Sequence, residues 1–255
     1  MSLEGRVALV SGGGRGIGRG IALALAEDGA DIAVNYRRDD DAANATVAEI
    51  EAMGRRALAC RASVDSWDDD EAMVKTVTAE LGPVGVLVHS AGISSRGHSV
   101  ADTDPAELER VVRTHAIGAF YLSKLVVPAM RELPRGDVVV ISSAATRSWA
   151  PNSAPYNMGK AALEALALTL ANEERRHGIH VNIVAPGLVD TEMGRRLVKG
   201  AMGVDDIRTL DARMPFGRVC RPEDVAAVVR FVVSDAAGYV SGERIYVDGG
   251  GLGLG

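Results

Sequence analysis

The feature that most limits what this chain can fold into is a rhythm of short apolar runs separated by longer amphipathic segments. The runs are Val7–Val10, Ile32–Asn35, Ala57–Cys60, Val86–His89, Val138–Ile141, Val181–Val184 and Ile245–Val247. Such short continuous runs read as strands buried on both faces. Between them, Ile17–Asp28, Ala42–Met53, Asp69–Leu81, Pro105–Met130, Ala154–His177 and Pro222–Ser234 carry Ala, Leu, Glu and Val at helical spacing. Alternation of this kind predicts an α/β fold: a doubly wound parallel sheet of about seven strands, right-handed crossovers and helices on both faces. At 255 residues and 47% hydrophobic content, a single domain over 1–255 is expected. Helix punctuation agrees, with Asp104-Pro105 and Arg221-Pro222 at starts and Gly29, Gly54 and Gly178 just past ends. Only 188–219 lacks a clear period, and a loop of that length reads as a lid.

Charge removes several function classes. A net charge of −6 with no long Lys/Arg block argues against nucleic acid or an anionic membrane as partner. Without a leader or an uninterrupted apolar stretch of membrane-spanning length, the expectation is a soluble cytoplasmic protein. Cys60 and Cys220 are too few and too far apart for a disulfide framework or a metal site, so buried free thiols and no bound metal are expected.

The first strand runs into Ser11-Gly12-Gly13-Gly14-Arg15-Gly16-Ile17-Gly18, which opens the first helix. Glycines there let the backbone approach a pyrophosphate, whose charge the helix N-terminus stabilises. The end of the second strand identifies the dinucleotide by charge. It reads Asn35-Tyr36-Arg37-Arg38, with no carboxylate before Asp39. An acid would bind ribose hydroxyls and repel a 2′-phosphate, whereas Arg37 helped by Arg15 attracts one, so NADP is expected.

At the other end of the reaction stand Ser143, Tyr156 and Lys160. The run Asp137–Ser143 delivers a hydroxyl at the carboxyl end of a buried strand, the edge at which open parallel sheets bind ligands. Tyr156 and Lys160 are four residues apart and share a helix face, which would set the ammonium beside the phenol and favour its ionised form. Together they can deliver a proton to a carbonyl oxygen.

With the glycine turn, these residues and Val181-Asn182-Ile183-Val184-Ala185-Pro186-Gly187 in order, the whole chain resembles the short-chain dehydrogenase/reductase family, with its Rossmann-type sheet. Within it the chain is most similar to bacterial 3-oxoacyl-acyl-carrier-protein reductases. The resemblance implies Tyr156 as proton donor, Ser143 as partner of the substrate oxygen, and Lys160 as holder of the nicotinamide ribose. It further implies cofactor contacts from Ser11, Gly12, Gly14, Arg15, Gly16, Ile17, Gly18, Tyr36, Arg37, Ser63, Val64, Ser90, Ala91, Gly92, Pro186, Gly187, Val189 and Thr191. Three positions depart from the family pattern. His115 stands where relatives have an Asn that anchors a relay water, His89-Ser90-Ala91-Gly92 replaces Asn-Asn-Ala-Gly, and Ser63 replaces an adenine-binding Asp.

The expected activity is NADPH-dependent reduction of a carbonyl, foremost a 3-oxoacyl thioester, with Arg195 and Arg196 available to an acidic carrier protein or a coenzyme phosphate. A sugar, polyol, steroid or small ketone is the alternative substrate, with Trp149, Met193, Met202 and Phe216 as an apolar pocket. A reading of another class is an NADP sensor or scaffold whose catalysis His115 impairs. The family resemblance also implies a homotetramer, built through the Tyr156-Lys160 helix, Pro222–Ser234 and the last strand.

Overall fold

The structure is a computed structural model that describes residues 2–251. Its strands are β1 (Val7–Ser11), β2 (Asp31–Tyr36), β3 (Ala57–Arg61), β4 (Val84–His89), β5 (Gly136–Ile141), β6 (Ile179–Pro186) and β7 (Arg244–Val247). They form one seven-stranded sheet in the order β3-β2-β1-β4-β5-β6-β7, and every neighbouring pair is parallel. The order reverses between β1 and β4, which opens a crevice at their carboxyl ends.

Period-two alternation divides the strand side chains between two cores. Leu9, Leu87, Val138 and Val140 join Met73, Val77, Leu122 and Leu163 on one face. Ala8, Val10, Val86, Val88 and Val139 join Ile21, Leu25, Val225 and Val229 on the other. Both faces of the central strands are therefore covered, which is why β1, β4 and β5 read as unbroken apolar runs. The covering helices are α1 (Gly16–Glu27), α2 (Asp40–Ala52), α3 (Trp67–Glu80), α4 (Pro105–Val112), α5 (Gly118–Met130), the short α6 (Ala145–Ser148), α7 (Ala154–Glu174), α8 (Glu192–Met202) and α9 (Pro222–Val232).

Two expectations are modified. The helix expected over Pro105–Met130 runs through without a break in helical dihedrals but widens into a π-helical turn at Arg113–Ile117. Gly118, at its exit, packs tightly on the neighbouring segment: a Cβ there would sit 2.5 Å from the Val64 carbonyl oxygen. The segment 188–219 is not irregular: it holds α8 and two 3₁₀ turns, Ile207–Arg213 and Pro215–Gly217. Val198, Ile207, Leu210 and Val219 give it a small core of its own. Its glycines concealed the helix. Gly194 packs where a Cβ would lie 2.1 Å from the Val189 carbonyl oxygen, while Thr191 caps the N-terminus by accepting from Gly194 N at 3.1 Å.

Replacing Gly118 by Ala must move the Val64 backbone or unwind the π-turn. We expect Gly118→Ala to lower stability by about 1–3 kcal/mol, measured by urea denaturation.

Candidate active site

The glycine turn is anchored from beneath by a residue that motif reading passed over. Asn35 accepts from Gly12 N at 3.3 Å through its side chain and from Gly13 N at 2.9 Å through its carbonyl. Its amide nitrogen donates to the Cys60 and Ala62 carbonyls, so three strand ends are tied together. Gly12 lies against the β4 end, since a Cβ there would be 3.1 Å from Ala91 Cα, and one at Gly18 would be 2.2 Å from the Gly12 carbonyl oxygen. Arg15, at the N-cap of α1, makes no side-chain cap, and the first turn holds no acid. A close backbone cradle at an uncapped helix N-terminus fits the pyrophosphate of a dinucleotide.

Ser11 links this cradle to β4. Its Oγ accepts from Ser90 N at 3.1 Å and Ala91 N at 3.0 Å, and it lies 3.2 Å from His89 Nδ1. Gly92 follows, where an added Cβ would lie 3.4 Å from His115 Nε2 and 3.6 Å from Lys160 Nζ. The cluster expected from sequence is thus assembled at one sheet edge.

The two arginines differ. Arg37 is exposed and has no hydrogen-bond or ion-pair partner among the described residues. Arg15 is engaged, pairing with Glu192 on α8 at 2.9 Å with both side chains more than half exposed. Tyr36 donates to Asp40 at 2.8 Å, which raises its phenol's pKa. Ser63 is also committed: its hydroxyl donates to Asp65 at 2.5 Å, and its amide donates to Asp69. Asp65 restores, two residues on, a carboxylate near the position where Ser63 lacks one. Val64 is buried, with its carbonyl facing Gly118.

Across the crevice, Ala144 N bonds to the Pro186 carbonyl and Gly187 N to the Val247 carbonyl. Thr191 packs its methyl group 3.4 Å from where a Gly16 Cβ would be. Val189, by contrast, turns its side chain into the core beneath α1 and α9. Ile17 packs against the same core.

The triad of side chains comes together. Burial pushes the Tyr156 phenol's pKa up, and the neighbouring Ser143 hydroxyl opposes that shift. Tyr156 keeps some solvent access although protein surrounds its hydroxyl. The Lys160 ammonium lies beside Tyr156, 5.8 Å from the ring centroid, and donates to the Ile141 carbonyl at 2.7 Å. Burial pulls Lys160 down to about 7, opposed by Glu164 one turn along α7. Motif reading missed Glu164. It is buried, accepts from Ser142 at 2.5 Å and Thr146 at 2.9 Å, and pairs with Arg244 at 2.6 Å.

His115 occupies the π-turn, fully buried, with its ring edge-on to Tyr156 at 5.3 Å between centroids. Its Nε2 lies 2.8 Å from the Ile93 carbonyl oxygen and 3.0 Å from Ile93 N. Burial and the Lys160 charge hold its pKa well below the ordinary histidine value.

The apolar pocket expected from Trp149, Met193, Met202 and Phe216 is not assembled: all four are exposed. Phe216 instead helps line a cavity of about 260 Å³ with Leu188, Met214 and Pro215. Trp149 and Phe216 both hold left-handed backbone, φ 51° and 59°. Arg195 and Arg196 are paired with Asp190 and Glu192. Of the thiols, Cys60 is buried and Cys220 only partly so. Among the described residues no helix is long and apolar enough to cross a membrane.

A dinucleotide cradle facing a Ser-Tyr-Lys cluster defines the class, a nicotinamide-dependent oxidoreductase built on a doubly wound sheet. A family profile described as Enoyl-(Acyl carrier protein) reductase matches residues 12–251. The chain is 36% identical to the 3-oxoacyl-[acyl-carrier-protein] reductase FabG of Staphylococcus epidermidis, over 95% of this chain and 97% of that one. It is 35% identical to the L-rhamnose 1-dehydrogenase (NAD(P)(+)) of a Sphingomonas species, over 97% and 96%. A short chain dehydrogenase from Burkholderia cenocepacia, solved in complex with NADP, superposes with a TM-score of 0.87 at 35% identity, covering 98% of this chain and 99% of that one. The chain belongs to the short-chain dehydrogenase/reductase family.

The buried ammonium gives a signed stability prediction. Lys160 is lowered from 10.5 to about 7, so between these values the unfolded chain binds more protons and stability rises with pH. The cost of burying the charge is complete below pH 7 and is lost as pH approaches the unfolded value. Lys160→Met should therefore raise the melting temperature of the ligand-free protein at pH 6, by about 5 °C, and change it little near pH 10, by scanning calorimetry.

Proposed function

We propose that this protein is an NADPH-dependent carbonyl reductase whose foremost substrate is a 3-oxoacyl thioester. The observation that carries the chemistry is buried Lys160 set 5.8 Å from the Tyr156 ring centroid, with Ser143 acting on the phenol, facing a glycine cradle that fits a pyrophosphate. The nicotinamide supplies hydride when bound. Tyr156 donates its proton to the carbonyl oxygen, and Ser143 donates a hydrogen bond to the same oxygen as charge develops there. Lys160 binds the ribose hydroxyls and favours the phenolate left behind. His115 takes part in returning the proton, as a buried imidazole that stays neutral near neutral pH.

NADP is favoured over NAD by the absence of a carboxylate at the β2 end and by uncommitted Arg37. Similarity to FabG supports the thioester, and similarity to the rhamnose dehydrogenase supports a sugar as the second reading. We also assign the protein to the cytoplasm and to a homotetramer. Exposed Phe120, Met158, Leu168 and Phe231 on α5, α7 and α9 support the assembly.

Two assays test this. Acetoacetyl thioester with NADPH should be turned over, and Tyr156→Phe should cut the rate by about a thousandfold; turnover of L-rhamnose but not the thioester would select the sugar. NADPH binding with no turnover of any carbonyl would select the sensor reading. For the cofactor, Arg37→Glu should raise the KM for NADPH by about tenfold or more while sparing NADH, given the worth of a charge-assisted bond to phosphate.

A further inference from the structure

Glu164 is 4% exposed, and its two oxygens serve three different elements. Oε1 accepts from the Ser142 hydroxyl at 2.5 Å and from Thr146 at 2.9 Å, while Oε2 pairs with Arg244 at 2.6 Å. Ser142 follows β5, Thr146 lies on α6 and Arg244 begins β7. Ser143 stands between the first two. The Ser143 carbonyl already accepts from Thr146 N at 3.2 Å. The Thr146 hydroxyl, 2.9 Å from that carbonyl and from Oε1 alike, is thus free for the carboxylate, the stronger acceptor.

Lys160 precedes Glu164 by one turn on the buried side of α7, and residues four apart on a helix are neighbours. The ammonium donates to the Ile141 carbonyl at 2.7 Å, and among the described residues no direct ion pair joins it to Glu164. The carboxylate therefore acts on it through space, where burial leaves the field weakly screened. A second charge bears on this balance. Arg244 occupies the other carboxylate oxygen and donates to the Tyr246 hydroxyl at 3.2 Å, which holds its guanidinium from β7. A cation placed there offsets part of the carboxylate's field.

We infer that Glu164 and Arg244 are positioning residues that never touch substrate: Glu164 fixes the strand end carrying Ser143 and holds Lys160 as the ammonium, and Arg244 limits that hold. The inference rests on the carbonyl-reductase reading. The groups facing Lys160 are Glu164 and Tyr156 on α7, His115 in the π-turn, His89 on β4 and the Ile141 carbonyl. Both imidazoles are held neutral by burial and by the Lys160 charge. Those facing Glu164 are Ser142, Thr146, Arg244 and Lys160. Losing the carboxylate's charge lowers the pH at which Lys160 gives up its proton, and losing the guanidinium's charge raises it.

The charges are tested without substrate by pH titration of ¹³C-lysine spectra of the labelled protein. The chain has only four lysines, Lys75, Lys124, Lys160 and Lys199, and Lys160→Met identifies the signal. Against wild type, the midpoint should fall by about one pH unit in Glu164→Gln and rise by a similar amount in Arg244→Gln. Arg244→Lys keeps the charge and should titrate like wild type. An unmoved or raised midpoint in Glu164→Gln, an unmoved or lowered one in Arg244→Gln, or a Lys variant that follows Gln would overturn the inference. If Glu164→Gln does not fold, the neutral pair Glu164→Gln/Arg244→Gln decides, with a midpoint below wild type expected and one at or above it overturning. In the reductase assay the alkaline limb of the pH–kcat profile should move in the same directions; an unmoved limb in a variant whose lysine has shifted would overturn the link to the reaction. The pH-independent kcat tests the hold on Ser143. Gln still accepts from Ser142 and Thr146, so Glu164→Ala should be about tenfold slower than Glu164→Gln, and equal values would overturn that part. Failure of the reductase reading looks different: no turnover by the wild-type protein, with the lysine titrations as expected.

Discussion

The buried Lys160 ammonium is the constraint around which the rest of the site is arranged. A charge at 5% exposure survives only with partners, because isolated burial disfavours the charged form strongly. This chain gives it the Ile141 carbonyl at 2.7 Å and the field of Glu164. Both partners are themselves fixed: Ile141 ends β5, and Glu164 is held by Ser142, Thr146 and Arg244. Since Ser142 precedes Ser143, the carboxylate that sustains the lysine also fixes the strand end that carries the Ser143 hydroxyl. Charge burial and catalytic geometry are one arrangement.

That arrangement needs a sheet edge where several strands end at the same height. The parallel register supplies it, pairing Ser11 with His89 and His89 with Val140. Side chains from β1, β4 and β5 then meet α7 and the π-turn without any long loop. The π-turn belongs to the same logic. Widening the helix by one residue inserts His115 toward Lys160, while α4 and α5 keep their packing on either side, a use of π-bulges common at functional sites.

How much of this was legible depended on the range of the interaction. Strand runs and the glycine turn are local signals, and the seven strands and the cradle lie where the alternation of apolar runs puts them. Tyr156 and Lys160 were found through spacing, yet spacing shows only a shared helix face. The direction of the ammonium is decided by desolvation and by a carbonyl 19 residues away in sequence, so its hydrogen bond goes to the end of β5 while the phenol stands beside it. The π-turn had no local signature, because Arg113–Ile117 reads as ordinary helix and keeps helical dihedrals at both its ends. Helix α8 was hidden by Gly194 and Gly200, whose helix-breaking propensity is overridden at Gly194 by close backbone packing. Asn35 and Glu164 work through partners on other elements, which no motif encodes.

The cofactor end shows how the lid enters the same balance of charge. Arg37 was expected to attract a 2′-phosphate with the help of Arg15, and the structure leaves the two in different states. Arg37 is uncommitted, whereas Arg15 is already paired with Glu192, whose carboxylate also holds Arg196. That pair is exposed, so it contributes little stability and is readily exchanged. The 2′-phosphate of an NADP would carry nearly two charges against a single carboxylate in competing for Arg15, and the glycine turn and α8 are the two elements that the Arg15–Glu192 contact joins. Thr191 stands between them, capping α8 while its methyl group packs on Gly16. Binding at the cradle and the placement of α8 therefore act on a shared set of contacts, which gives the segment beyond Gly187 a physical reason to respond to the dinucleotide.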